Sequence, residues 1–291
     1  MTHYYKFVIR MLIAAVIIST SSVWVKIAHV APSVSGFYRM FIGGVLLLFI
    51  CLIKKLDLWR GWRYFSWLFL AAVFFALDLY FWHRSIFYIG PGLATVLGNF
   101  QVFFMTLAGF LFFKERISIN FILGLIITII GLFFLVGFHW AKLSVQYQTG
   151  VVYALLTAVA YTGFMLSLRH VQSKKNGLSA FSNLGIMSLM CALILFIELT
   201  LSGLTVSIPS AQSFVSLLIL GVFCQVVGWV LITQTMPHLP TSIVGVVLLL
   251  QPALSMLWDV IFFARPMSLL DILGLIMVLC GVYLASLKKK V

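Results

Sequence analysis

The sequence predicts an all-α integral membrane protein: ten transmembrane helices forming two inverted five-helix repeats around a central cavity. Three observations predict it. The chain is 63% hydrophobic and only 9% charged, whereas soluble domains run near half apolar and a quarter charged. Apolar runs long enough to span a bilayer recur along its length. One stretch also occurs twice at an offset of 150 residues: Gln101, Phe112, Phe113, Ser118, Gly124 and Gly131 return as Gln251, Phe262, Phe263, Ser268, Gly274 and Gly281. The register needs no gap from about Leu70 and Leu220 onward.

In chain order the spans read as about 7–28, 33–53, 65–87, 92–113, 119–138, 148–168, 180–202, 213–235, 241–264 and 270–287. Phe7 to Ala28 is long enough to cross, with no small-residue cleavage site after it, and reads as an uncleaved first span. Ala31-Pro32-Ser33 ends it, Gly90-Pro91-Gly92 separates the third and fourth spans, and Pro237-His238-Leu239-Pro240 separates the eighth and ninth. Residues 1–140 then form the first repeat and 147–288 the second. An odd number of spans per repeat points the two copies opposite ways, so one central site gains two alternative exits.

Charge gives the orientation. With the N-terminus in the cytoplasm, that side holds Lys6, Arg10, Lys54, Lys55, Arg60, Arg63, Lys114, Arg116, Arg169, Lys174, Lys175 and Lys288 to Lys290. The far side holds only Lys26, Lys142 and Arg265. The positive-inside rule therefore places both termini in the cytoplasm and the chain in an inner (plasma) membrane. The net charge of +13 is spread over short turns, so it reads as topology signal and lipid contact rather than as nucleic-acid binding. Cys51, Cys191, Cys224 and Cys280 each sit inside an apolar run without CxxC spacing and read as small buried hydrophobes, not as a disulfide or metal framework. Walker, HExxH and Gly-x-Ser-x-Gly motifs are missing, which speaks against an ATPase, a zinc protease or a serine hydrolase. No catalytic residue, cofactor or metal is expected.

Charged groups at membrane depth cost about 2.5–3.5 kcal/mol each and so tend to face a cavity or a partner. Gln251, Ser255 and Asp259 share one face of the ninth span, beside Pro252, which frees a backbone carbonyl. Gln225, Trp229 and Thr233 share a face of the eighth, Tyr153, Thr157 and Tyr161 of the sixth, and Ala15, Ser19, Ser22 and Lys26 of the first. Each stripe is either cavity wall or interhelical glue. The third span holds Asp78, Trp82, His83 and Arg84. Asp78 and His83 read either as proton-coupling groups or, for Asp78, as the counter-charge of Arg39 or Arg84, with His83 a substrate contact. Asn99 and Gln101 mark the fourth span, Gln101 facing its repeat partner Gln251 across the pseudo-two-fold axis. Trp24, Trp82, Tyr161 and Trp229 offer surfaces for an apolar part of a substrate. Gly124 and Gly131, like Gly274 and Gly281, are spaced for close helix packing, within the protomer or in a homodimer. Glu198 has no identifiable repeat partner and reads as interfacial.

These residues resemble the drug/metabolite transporter superfamily, EamA type. Arg39 within Ser35-Gly36-Phe37-Tyr38-Arg39-Met40 looks like the family's second-helix arginine, a packing residue. Phe113-Lys114-Glu115-Arg116-Ile117-Ser118 with Gly124 and Gly131 resembles the first-repeat signature, and Gln251-Pro252 with Gly274 and Gly281 the second. Two positions depart: Val102 stands opposite Pro252, and Arg265 opposite Glu115. The resemblance implies an inverted five-plus-five bundle that moves amino acids or related small metabolites, often outward. A nucleotide-sugar or lipid carrier, with Lys26, Arg39 and Arg84 holding phosphate, is the alternative; a non-transporting membrane enzyme or sensor is a further one.

Overall fold

The computed structural model describes residues 2–113, 118–136, 143–172, 177–235, 238, 247–248 and 250–286. Among them are eight helices long and apolar enough to cross a membrane. These are α1 (Tyr5–Ile27), α2 (Pro32–Ile53), α3 (Trp62–Ile89), α4 (Pro91–Ala108), α5 (Ile119–Val136), α6 (Val145–Gln172), α7 (Ala180–Leu201) and α8 (Ala211–Thr235). Two shorter apolar helices follow, α9 (Leu250–Phe263) and α10 (Leu269–Ala285). The first half of the ninth expected span lies outside the described residues, apart from Val247 and Leu248. So do Lys114, Arg116, Lys142, Lys174, Lys175 and Lys288 to Lys290 of the charge count, and Pro237, Leu239 and Pro240 of the turn.

The two halves meet helix by helix, each pair running antiparallel. Phe75 of α3 stacks on Phe164 of α6 with ring centroids 4.4 Å apart, and further along α3 Phe81 meets Tyr153. On α1, Met11 receives the Thr235 hydroxyl of α8, while Thr20 lies against Cys224. On α2, Gly36 faces Leu195 and Cys51 faces Ser182 of α7. Gly92 and Thr95 of α4 meet Asp259 and Ser255 of α9. The α5–α10 seam is tightest. A Cβ on Gly131 would fall 2.7 Å from the Gly274 carbonyl oxygen, and one on Gly274 the same distance from that of Gly131. Gly124 and Gly281 form the matching contact one helical stretch away. These four glycines pack against one another within the chain.

Three helices are irregular at mid-length, and each irregularity has a local cause. In α1, Ser19, Thr20 and Ser21 turn their hydroxyls back onto the carbonyls of Val16, Ile17 and Ile18 at 2.6–2.7 Å. Such bonds compete with the helical ladder, and the helix breaks at Thr20. In α4 the Asn99 amide bonds the Thr95 carbonyl at 2.9 Å and the helix interrupts at Asn99 and Phe100. In α8, residues Leu220–Gly228 widen into a π-helix, a form that recurs at functional sites. Non-helical backbone at membrane depth is tolerated where it lines a cavity or is buried in protein.

The outer surface carries large apolar side chains such as Phe49, Leu111, Phe133, Phe214 and Ile276, all more than two-fifths exposed. Cys51, Cys191 and Cys224 are buried as expected; Cys280 is exposed instead. Its helix buries the glycine seam against α5, leaving Cys280 on the outside.

Candidate functional site

The breaks in α1 and α4 and the end of the π-helix surround a cavity of about 110 Å³. Ile18, Ser19 and Ser21 reach it from α1, and Arg39 from α2. Phe75, Asp78 and Trp82 of α3 form one wall; Thr95, Gly98, Asn99 and Gln101 of α4 form another. Thr157 and Tyr161 of α6, Trp229 of α8 and Gln251 of α9 complete it. The repeat partners Gln101 and Gln251 therefore line one space. The α4–α9 crossing explains why: Thr95 opposes Ser255 and Gly92 opposes Asp259, so equivalent residues coincide near position 100 and its counterpart near 250.

Of the expected site residues, Asp78, Trp82, Asn99, Gln101, Tyr161, Trp229 and Gln251 converge on this cavity. Five others are placed elsewhere. Trp24 donates its indole N–H to Thr20 Oγ1 at 3.2 Å and packs on the core. His83 is fully buried, with Nδ1 2.6 Å from Ser35 Oγ and 3.2 Å from the Pro32 carbonyl. That ties α3 to the start of α2 instead of facing the cavity. Tyr153 packs against Phe81 and Tyr88 on α3. Ser255 lies within hydrogen-bond reach of Ser22 Oγ, Thr95 Oγ1 and the Pro91 carbonyl, so it joins α1, α4 and α9 as glue. Gln225 is fully buried behind the wall; it accepts from Arg39 Nε at 3.2 Å and donates to Ser188 Oγ at 3.2 Å.

Arg39 is the main correction in the other direction. It was expected as a packing residue, yet it stands on the cavity wall, its guanidinium 5.7 Å from the Trp82 ring. Asp78 shares the cavity with Arg39 but closes no direct ion pair with it or with Arg84. Among the described residues the ion pairs are Arg60–Asp57, Arg84–Glu198 and Arg265–Asp259, and Asp78 is in none. Arg84 is taken by Glu198 at 2.9 Å and by Ser33. Asp259 is 2% exposed and accepts the Gly92 N–H at 3.0 Å, capping the start of α4. Lys26 sits over the Phe263 ring. Lys26, Arg39 and Arg84 thus each engage a different partner.

Phe75, Thr95, Gly98 and Ser21 line the cavity without having been singled out. Nothing in their residue type marked them; only the helix breaks decide their facing. Among the described residues no three His, Cys, Asp or Glu side chains converge as a metal site.

The model of the EamA-like transporter family matches residues 6–137 and again residues 148–287. This chain belongs to that family. A Haemophilus influenzae protein described as an uncharacterized transporter is 26% identical over 270 residues, covering 87% of this chain and 85% of its own. An uncharacterized transporter of Archaeoglobus fulgidus is 25% identical over 273 residues, with 91% and 92% covered. YvbV of Bacillus subtilis, also described as an uncharacterized transporter, is 26% identical over 275 residues, with 91% and 85% covered. One protein of known crystal structure superposes with a TM-score of 0.68 at 16% identity, covering 97% of this chain and 98% of the other, so the fold is shared. The chain is a multi-pass membrane protein of a transporter family.

Proposed function

We propose that the chain is a secondary transporter that moves a small metabolite, best an amino acid or a related amphiphilic compound, across the inner membrane. It works by alternating access, in the exporting direction, with both termini cytoplasmic. The observation that carries this reading is the convergence of Gln101 and Gln251 on one cavity between antiparallel helix pairs. Equivalent helices that cross antiparallel are what two inverted copies of a five-helix unit produce, and such a pair can trade conformations about a fixed site. Ten spans follow from the same reading.

The cavity's size favours a small cargo. At about 110 Å³ it falls below the roughly 300–1,000 Å³ of pockets that enclose drug-sized ligands. That, with the scattering of Lys26, Arg39 and Arg84, weighs against a nucleotide sugar. The test is flux in proteoliposomes containing the purified chain. Counterflow of a neutral amino acid above the rate of empty vesicles supports the reading; binding without flux across a wide metabolite panel overturns it.

A further inference from the structure

Arg39 and Asp78 are 4% and 5% exposed, line the same small cavity, and form no ion pair with each other. Opposite charges this deeply buried ordinarily pair, because an uncompensated charge at membrane depth is costly. Here no direct ion pair closes between them. Arg39 is pinned by its Nε to Gln225, which is pinned to Ser188 on α7. Its two terminal nitrogens make no hydrogen bond among the described residues, and neither carboxylate oxygen of Asp78 does. Trp229 lines the same cavity, and its Nε1 is buried without a partner among the described residues. The side-chain amides of Gln101 and Gln251 likewise have no partner among them.

The geometry points to a two-charge receptor: Arg39 binds an anionic carboxylate of the cargo, and Asp78 binds a cationic ammonium of the same molecule. The planar guanidinium, held by Gln225, presents its free terminal edge to a carboxylate. An ionised carboxylate is acceptor-only and suits an ammonium donor. Trp229 Nε1 adds a donor, and Phe75, Trp82 and Tyr161 give an apolar wall for the remainder. Gln225 is a positioning residue, acting through Arg39. The receptor deepens the transport reading by assigning residues to the cargo's two ends, and it excludes cargo carrying only one charge.

The test uses the wild-type chain in detergent at neutral pH. Its melting temperature is measured with each standard amino acid, and with the N-acetyl and amide forms of every one that acts. For an uncharged side chain, N-acetylation leaves only the anion and amidation only the cation. Bound ligand raises the melting temperature. The expected result is at least one amino acid that stabilises by several degrees, with both blocked forms weaker by about ten-fold or more in concentration. No stabilising amino acid, or blocked forms equal to the parent, overturns the receptor.

Variants add a second arm. Arg39→Gln loses the response to the parent, and Asp78→Asn reverses preference toward the N-acetyl form, a reversal that damage to the fold does not produce. Flux then separates the two readings. A stabilising zwitterion that does not cross keeps the receptor and removes transport; flux of singly charged or neutral compounds alone keeps transport and removes the receptor.

Discussion

Asp259 on α9 accepts the backbone N–H of Gly92 at the start of α4, joining the two halves of the chain with a bond of 3.0 Å. Arg265 reinforces it, with Nη1 3.4 Å from the same carboxylate oxygen and 2.9 Å from the Ile89 carbonyl. Gly90 turns the chain there at φ +86°, and a Cβ on it would fall 2.7 Å from Asp259 Oδ2. At the repeat-equivalent positions stand Gly109 for Asp259 and Glu115 for Arg265, so the Asp259 contact has no counterpart at the equivalent position. The closure is one-sided.

Asp259→Asn should therefore loosen that end alone. A charge-assisted hydrogen bond is worth about 1.5–3 kcal/mol, so the open population should rise about ten-fold or more. The measurement is the rate at which a membrane-impermeant maleimide labels Thr95→Cys on a cysteine-free background. Labelling that Asp259→Asn leaves unchanged from both faces would remove Asp259 from the closure.

Gly131→Ala should lower the melting temperature of the monomer by several degrees. Its Cβ would fall within 3.0 Å of three atoms on α10, including backbone. Overpacking of that kind costs about 1–3 kcal/mol. An unchanged melt in detergent, together with a change in oligomeric state, would move these glycines to an interface between copies.

Glu198→Gln should cost stability but not cargo affinity. Its carboxylate holds Arg84 across from α3, away from the cavity, and both side chains are partly exposed, so the loss is modest, about 1 kcal/mol. Melting reads the first effect, and the concentration dependence of flux reads the second. A large rise in half-saturation with an unchanged melt would place Glu198 in the transport path.

Apolar run length told the membrane helices well, because a bilayer forces apolar runs of fixed length. Polar stripes told less. Gln251, Ser255 and Asp259 share a helical face, yet only Gln251 reaches the cavity. The stripe shows which side of a helix is polar, not where along its length the neighbouring helix closes over it. The cavity placement of Arg39 was not legible because its neighbours Gln225 and Asp78 lie on other helices. The Arg84–Glu198 pair joins residues 114 positions apart with no repeat logic to link them.

That split along α9 gives the sharpest contrast between two side chains one turn apart. Gln251 faces the cavity and its amide has no partner among the described residues. Ser255 is fully buried and reaches Ser22, Thr95 and the Pro91 carbonyl at 2.8–3.1 Å. Truncating Gln251 leaves no packed group unsatisfied, so Gln251→Ala should insert and melt like the parent while its flux falls. Truncating Ser255 strands hydroxyls on two other helices, at about 1 kcal/mol per lost bond. Ser255→Ala should therefore melt several degrees lower with its half-saturation unchanged. Paired melting and counterflow on the two variants test this directly. If Gln251→Ala loses stability and keeps its flux, while Ser255→Ala does the opposite, the cavity assignment along α9 is reversed.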